Sequence, residues 1–260
     1  MITSTQNPKI QKIRSLIAQS KERKKTNQFV IEGVRLCEEA MQADWEFEYI
    51  LFSDNLSERG QEIIRLATQK AIPVDEIPFD LMKKIADTEY PQGIICVLYQ
   101  KHQELPENPD FVLICDSIKD PGNLGTILRS ANAAQAQTVI VSPNSTDIFS
   151  PKVVRAGMGA HFHIPILQLD WGEIKMICKN PSHSLKTFIA SANATTNMWQ
   201  MNFNQPTAII IGSEATGYGL EAQQLADQMI KIPMPGSSES LNAAIAASII
   251  LFEVVRQRWK

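Results

Sequence analysis

The sequence predicts an α/β protein of two domains, the second of which contains a mainly parallel sheet. Apolar runs typical of strands alternate with helical patterns along most of the 260 residues. Residues 101–110 interrupt this alternation, because they carry two prolines and three acidic side chains but only one leucine. We therefore expect a smaller domain at residues 1–100, a linker at 101–110 and a larger domain at 111–260.

The spacing of apolar residues predicts the individual elements. Between Ile10 and Ile17 they recur at helical spacing, whereas residues 93–99 form a continuous apolar run typical of a buried strand. In the first domain we expect helices at 3–19, after Gly33, at 62–70 and at 79–85, and strands at 29–31, 49–52, 72–74 and 93–99. In the second domain we expect strands at 111–115, 138–141, 163–167, 187–190, 208–211 and 229–232.

The final predicted helix, residues 241–258, is apolar almost all round as far as Glu253. A helix of this kind is buried either within a fold or in a subunit interface. The sequence leaves these two alternatives open.

Charge is unevenly distributed along the chain. The net charge of −3 argues against a uniformly basic protein that coats nucleic acid. The N-terminal stretch nevertheless concentrates basic residues, namely Lys9, Lys12, Arg14, Lys21, Arg23, Lys24 and Lys25. Such a stretch is either a local phosphate-binding face or simply a solvated helix surface.

The remaining composition points to a cytoplasmic protein without a metal site. Neither a secretory signal nor an apolar run long enough to span a bilayer is apparent. The four cysteines lack the close pairing of metal sites and are expected to be buried, reduced thiols. The histidines show no metal-site spacing, and we expect them to be structural or exposed.

Three short motifs in the second half each follow a strand-like run. The first spans residues 120–125, Asp-Pro-Gly-Asn-Leu-Gly, and leads to Arg129. A tight strand-to-helix turn explains the proline and glycine. It explains Arg129 poorly, because the helix expected at 126–136 is otherwise small and apolar and its arginine needs a phosphate or carboxylate partner.

The second and third motifs also place glycine or polar residues at strand ends. Residues 211–214, Ile-Gly-Ser-Glu, end an apolar run, and the glycine would let a ligand approach the backbone. Residues 232–234, Ile-Pro-Met, precede Ser240 and Asn242, of which Ser240 is a candidate N-cap for the final helix. Since ligands bind at strand ends in open α/β sheets, the three motifs predict one shared pocket.

Taken in order, these motifs resemble the SpoU/TrmH family of RNA ribose 2'-O-methyltransferases, within the SPOUT class. Residues 150–155, Ser-Pro-Lys-Val-Val-Arg, and Gly159 with Ala160 also fit that family. The first domain resembles the family's L30e-like RNA substrate-binding extension, at residues 29–36 and at Pro-Gln-Gly 91–93.

The resemblance implies a fold and ligands that composition alone does not indicate. It implies a deep trefoil knot at the C-terminal end of the sheet, a homodimer formed partly through the final helix, and S-adenosylmethionine as methyl donor. The cofactor-binding residues expected are Gly212, Ile232, Met234, Ser240 and Leu241. The RNA-binding residues expected are Lys9, Lys12, Arg14, Arg23, Lys24, Lys25, Arg35 and Arg155.

The resemblance also implies the catalytic residues, which are Arg129, Glu214, Asn123 and Asn242. Arg129 would lie at the acceptor hydroxyl, where it acts on the proton or holds a neighbouring phosphate, since guanidinium groups are not deprotonated in proteins. Glu214 would orient Arg129 or a water molecule, and the two asparagines would hold loops and substrate by hydrogen bonds. Two extra residues lie after Glu214, so either Gly217 or Gly219 could take the place of the family's usual glycine.

We expect the protein to be a methyltransferase, and 23S ribosomal RNA is the substrate that we expect first. Transfer RNA remains an alternative, as does a non-catalytic RNA-binding protein with a relic methyltransferase domain. A nucleotide-dependent oxidoreductase is disfavoured, because residues 116–122 lack the required glycine pattern.

Overall fold

The computed structural model describes residues 1–213 and 217–259. The chain forms two compact units. The first comprises Met1–His102 and Asp147–Phe162, and the second comprises Gln103–Thr146 and the chain from His163 onward.

The first unit contains a four-stranded sheet. Its strands are β1 Gln28–Glu32, β2 Phe47–Phe52, β3 Val74–Glu76 and β4 Ile94–Tyr99. The order is β1-β4-β2-β3, in which β4 pairs antiparallel with β1 and β2, and β2 pairs parallel with β3. The helices are α1 Pro8–Ala18, α2 Ser20–Thr26, α3 Val34–Gln42, α4 Glu58–Gln69 and α5 Phe79–Ile85.

Alternation along these strands builds a core on each face of the sheet. In β4, Cys96 packs with residues of α3 and α4, whereas Ile95 and Val97 pack with residues of α1 and α5. Because successive side chains of a strand point to opposite faces, a continuous apolar run is what a strand covered on both faces requires.

The second unit contains a seven-stranded sheet. Its strands are β5 Phe111–Asp116, β6 Thr138–Val141, β7 Ile166–Gln168, β10 Lys186–Ala190, β11 Thr196–Asn197, β12 Thr207–Gly212 and β13 Gln228–Lys231. Two short strands outside this sheet, β8 Lys179–Asn180 and β9 His183–Ser184, form a separate antiparallel pair. The order is β11-β13-β10-β12-β5-β6-β7, and all six pairings are parallel. The helices of this unit are α6 Pro121–Ala133, α8 Trp171–Cys178, α9 Leu220–Leu225 and α10 Ala243–Arg258, with a 3-10 helix at Met198–Gln200. The predicted fold class is confirmed, whereas the trefoil knot stays a prediction.

One segment departs from the predicted domain limits. Residues 147–162, which include α7 Pro151–Gly157 and a 3-10 helix at Ala160–Phe162, belong to the first unit, although the sequence placed them in the second domain. The reason is aromatic packing, since the Phe149 ring lies 4.7 Å from Phe29 and the Phe162 ring lies 5.2 Å from Trp45. Strand and helix patterns do not record which core such a segment joins.

Two helix starts also differ from the prediction. Helix α6 begins at Pro121 instead of Thr126, because the Asp120 side chain accepts a hydrogen bond from the Asn123 amide at 2.7 Å. Helix α10 is capped by Asn242, so the expectation that Ser240 is its N-cap is wrong. Within the described part of the chain, every helix is too short or too polar to cross a bilayer.

Candidate active site

A cavity of about 550 Å³ lies within the second unit at the carboxyl ends of three neighbouring strands, β13, β10 and β12. Its lining comes from residues that follow each of these strands and from the start of α10. The five predicted cofactor-binding residues, Gly212, Ile232, Met234, Ser240 and Leu241, all contribute to this lining. The sheet therefore brings residues of the second and third motifs together, as a shared strand-end pocket requires.

The lining combines apolar side chains with small residues. Ile211, Ile232 and Leu241 supply apolar surface, whereas glycine, alanine and serine leave the backbone accessible to a ligand. The volume falls in the range of about 300–1,000 Å³ typical of small-molecule sites. A ligand with an apolar part and several hydrogen-bonding groups, such as a nucleoside, fits this chemistry.

Sequence reasoning missed one wall of the cavity. Residues 190–193, Ala-Ser-Ala-Asn, lie at the end of β10 and directly after it and line the cavity, although we assigned them no role. The available signal was a run of small and polar residues directly after an apolar strand, the same feature that drew attention to the other motifs.

The tight packing at Gly212 requires a glycine. A Cβ atom built on Gly212 would lie 2.4 Å from the Gly217 carbonyl oxygen and 2.8 Å from the Tyr218 amide nitrogen. Ser213 and Gly217 are paired, because their amides and carbonyls exchange hydrogen bonds of 2.7 and 2.9 Å. Glu214, which we expect to be catalytic, lies outside the described residues.

The geometry distinguishes Gly217 from Gly219. Gly217 has a φ of +68°, in the left-handed region that favours glycine. Gly219 has a φ of −79° and is the N-cap of α9, a conformation open to other residues. Gly217 therefore takes the conformation that makes a glycine necessary after Glu214.

The buried carboxylate of Asp116 holds the chain at Gly219, two residues after Gly217. Asp116, at the end of β5, is only 1% exposed and accepts a 2.6 Å hydrogen bond from the Gly219 amide. The hydroxyls of Ser117 and Ser142 donate to its other oxygen, each at 3.1 Å. Asp116 thus links the strand before the first motif to the loop of the second. We did not predict this, because the two residues are 103 positions apart.

We predict that Asp116→Ala lowers the melting temperature by roughly 2–12 °C. It leaves the Gly219 amide without its acceptor, which costs about 1–3 kcal/mol, whereas the Ser142 hydroxyl still has the Pro143 carbonyl at 3.2 Å. Differential scanning calorimetry measures the change. Ser117→Ala, which removes one donor and keeps the carboxylate, is the control and should melt near wild type, and wild-type melting of Asp116→Ala would contradict this role.

Two predicted catalytic residues contact each other. The Asn242 side-chain amide donates to the Asn123 side-chain oxygen at 3.0 Å, and Asn242 accepts from the amides of Ala244 and Ile245. This contact joins the start of α6 to the start of α10. The first and third motifs therefore meet beside the cavity, because Leu241 and Ala243, the chain neighbours of Asn242, line it.

Arg129 lies on α6, six residues beyond Asn123, which corresponds to about 9 Å along the helix axis. Its side chain is exposed. The described residues provide it with no hydrogen-bond or ion-pair partner, although most other arginines in the structure are paired. The position leaves this guanidinium accessible to an anionic ligand.

The four cysteine thiols and the His161 ring are buried. Burial raises the pKa of Cys115, next to Asp116, to about 12. Burial also lowers the pKa of His161 to about 4 and keeps its ring neutral. Across residues 1–213 and 217–259, no group of three histidine, cysteine or acidic side chains could hold a metal ion.

One predicted RNA-binding residue is a structural residue of the first unit. Arg23 is only 4% exposed, and its guanidinium donates to the carbonyls of Leu16 and Ile17 and pairs with Asp147 at 2.8 Å. A guanidinium that is enclosed in this way is not accessible to RNA. The assignment of Arg23 to RNA binding is therefore wrong.

The other basic residues of this stretch lie at the surface. Lys9 and Lys12 on α1 pair with Asp75 at 2.5 Å and Glu48 at 2.7 Å. Arg14 is partly buried, whereas Lys24 and Lys25 are exposed on α2. Both lysine side chains are half-buried in these pairs, and RNA binding by the basic residues of this stretch stays a prediction.

The two remaining predicted RNA-binding arginines also lie on the first unit. Arg35 on α3 is exposed, with Glu39 4.0 Å away. Arg155 on α7 pairs with Asp87 at 2.6 Å. RNA binding by both residues stays a prediction.

The fold and site define a class of protein, an α/β protein with a small-molecule cavity at the carboxyl ends of a parallel sheet and a second, smaller unit built around a four-stranded sheet. Residues 110–252 match the SpoU rRNA methylase family, and residues 7–96 match an MRM3-like substrate-binding domain. The chain belongs to the SpoU rRNA methylase family, which confirms the family predicted from the three motifs.

Characterised relatives match almost the whole chain. The 23S rRNA (uridine(2479)-2'-O)-methyltransferase of Streptomyces viridochromogenes is 30% identical, with 98% of this chain and 92% of the relative covered. The 23S rRNA (guanosine(2553)-2'-O)-methyltransferase RlmP of Bacillus subtilis is 29% identical, with 97% and 98% covered. The crystal structure of an AdoMet-bound rRNA methyltransferase from Sinorhizobium meliloti is 28% identical, has a TM-score of 0.87, and aligns over 100% of this chain and 98% of its own.

Proposed function

We propose that this protein transfers a methyl group from S-adenosylmethionine to a ribose 2'-hydroxyl of 23S ribosomal RNA. The cavity beside the Asn123–Asn242 contact carries the proposal, because all five residues expected to bind the cofactor line it. The relatives and the AdoMet-bound structure, which align over nearly the whole chain, support the same cofactor and class of substrate.

The residues of the cavity suit S-adenosylmethionine. Ile211, Ile232 and Leu241 provide apolar surface for the flat base, and Gly212 lets the backbone of Gly217 pack close by at the cavity wall. When bound, the cofactor supplies a methyl group that is activated by the positive charge on sulfur. Gly212, Ile232, Met234, Ser240 and Leu241 would hold it.

The transfer forms a bond between the methyl carbon and the 2'-oxygen as the carbon–sulfur bond breaks, and the hydroxyl proton leaves to a phosphate oxygen or water. We assign to Arg129 the task of holding the backbone phosphate next to the reactive ribose by charge-assisted hydrogen bonds. Asn123 and Asn242 position the loops that surround the acceptor. In this account Glu214 orients Arg129 or a water molecule.

Methyl transfer to purified RNA tests the function. The protein is incubated with labelled S-adenosylmethionine and either an unmodified 23S rRNA transcript or bulk transfer RNA. We expect label in the 23S transcript. Transfer of label to transfer RNA alone would replace the proposed substrate, and the absence of transfer together with undetectable cofactor binding would favour a relic domain.

We further propose that the second unit forms a homodimer through α10 and contains the trefoil knot typical of the class. Ile245, Ile249 and Phe252 recur at helical spacing on one face of α10, and their exposed fractions are 52%, 37% and 49%. An exposed apolar stripe of this kind is typical of an interface. We also propose that the domain expected at residues 1–100 presents the RNA and that the protein acts in the cytoplasm.

We predict that Phe252→Glu converts the dimer to a monomer, because the substitution places a charge within an apolar interface. Light scattering coupled to size exclusion measures the mass. Glu62→Ala, on the exposed surface of α4, is the control and should stay dimeric. A monomeric wild-type protein would contradict the proposed interface.

A further inference from the structure

We infer that Tyr90 forms a stacking platform for an unpaired RNA base, an inference that rests on the proposed function. Tyr90 is 83% exposed, on the loop between α5 and β4. The described residues provide it with no hydrogen-bond or aromatic-ring partner. Water exposure of a large aromatic ring is unfavourable in an isolated protein, and aromatic faces are what proteins use to stack splayed RNA bases.

The loop that carries Tyr90 is held in place on its N-terminal side. The Glu32 carboxylate, at the end of β1, accepts hydrogen bonds from the Asp87 amide at 2.9 Å and from the Thr88 hydroxyl. Arg155 on α7 pairs with the Asp87 carboxylate at 2.6 Å. The two residues before Glu89 are therefore fixed to both a strand and a helix of the first unit.

The loop is equally constrained on its C-terminal side. The Gln92 side chain accepts a 2.8 Å hydrogen bond from the Val34 amide at the start of α3. Gly93 has a φ of +82°, and a Cβ there would lie 2.6 Å from the Asn55 side chain. Since both ends are fixed, Tyr90 is presented by an ordered loop, and stacking on it costs less conformational entropy than stacking on a mobile one.

The charges around the loop disfavour a phosphate at the Tyr90 ring, so the contact we infer is with a base. Glu89, next to Tyr90, is exposed, and the Glu32 carboxylate lies at the Asp87 amide. Arg155 is already paired with the Asp87 carboxylate. Residues 7–96, which include Tyr90, match a substrate-binding domain, and stacking of a base on an aromatic ring needs no phosphate contact at the ring.

The test compares Tyr90→Ala with Tyr90→Phe, which keeps the ring and loses only the hydroxyl. Binding of an unmodified 23S rRNA transcript is measured by filter retention at fixed salt. Loss of one stacked base should raise Kd roughly 5- to 150-fold for Tyr90→Ala. Tyr90→Phe and the control Leu66→Ala, an apolar surface residue of the same unit, should bind within about twofold of wild type.

Steady-state kinetics separate stacking from damage to the fold or to the cofactor site. Tyr90→Ala should raise KM for the RNA while kcat at saturating RNA and the Kd for S-adenosylmethionine stay near wild type. Wild-type RNA affinity of Tyr90→Ala would overturn the inference and leave the proposed function intact. If wild type binds the transcript but does not methylate it, the proposed function fails, and the binding comparison still decides the role of Tyr90.

Discussion

Replacing Arg129 with alanine is expected to lower kcat for methyl transfer by about 100- to 1,000-fold, the loss that follows when one preorganised donor is removed from a reacting group. Arg129 is exposed and has no hydrogen-bond or ion-pair partner among the described residues, so its removal breaks no such contact within residues 1–213 and 217–259. The affinity for S-adenosylmethionine should be unchanged, because Arg129 does not line the cavity. Single-turnover kinetics and calorimetry measure the two quantities separately.

Two further variants define what the Arg129 result means. Arg129→Lys keeps the charge but loses the planar fork that binds a phosphate through two hydrogen bonds, so we expect it to recover only part of the rate. Arg65→Ala, which removes an exposed arginine from α4, should transfer methyl groups at the wild-type rate. Near-normal transfer by Arg129→Ala would end the proposal that this guanidinium acts on the acceptor.

Replacing Gly212 with alanine is expected to weaken the binding of S-adenosylmethionine roughly 5- to 150-fold, the change that corresponds to the cost of about 1–3 kcal/mol for overpacking. The added Cβ would lie 2.4 Å from the Gly217 carbonyl oxygen and 2.6 Å from the Gly217 carbonyl carbon, both of them backbone atoms. The loop must therefore move, and it moves at a wall of the cavity. Isothermal titration calorimetry measures the affinity.

The same loop provides a matched control. A Cβ on Gly219 would meet only side-chain oxygens at 3.5 Å, an ordinary contact, and its φ of −79° suits alanine. Gly219→Ala should therefore bind the cofactor within a fewfold of wild type. Unchanged affinity in Gly212→Ala would contradict the assignment of this wall to the cofactor.

Local sequence patterns predicted most of the elements, because strands and helices are recorded in short-range apolar spacing. The continuous run that forms β4 and the run that forms β12 were both identified in this way. The glycine and polar residues at the ends of β12 and β13 then predicted a pocket at the carboxyl ends of these strands. That pocket exists because β13, β10 and β12 are adjacent, an order that no local pattern contains.

The features that sequence did not predict depend on contacts between distant residues. The run of basic residues around Arg23 does not show that the Arg23 guanidinium is enclosed by Leu16, Ile17 and Asp147. The link between Asp116 and Gly219 spans 103 positions and leaves no periodic trace. Ser240 was an equally good capping residue by type, and only the observed backbone shows that Asn242 caps α10.

The most direct test of the account is a map of ribose 2'-O-methylation in cellular RNA with and without this protein. A 2'-O-methyl group removes the hydroxyl that attacks the adjacent phosphodiester, so each modified ribose is resistant to alkaline cleavage. The account predicts that one 23S rRNA position loses this resistance when the protein is absent and regains it with the wild-type chain, but not with Arg129→Ala. An unchanged 23S rRNA map would contradict the account.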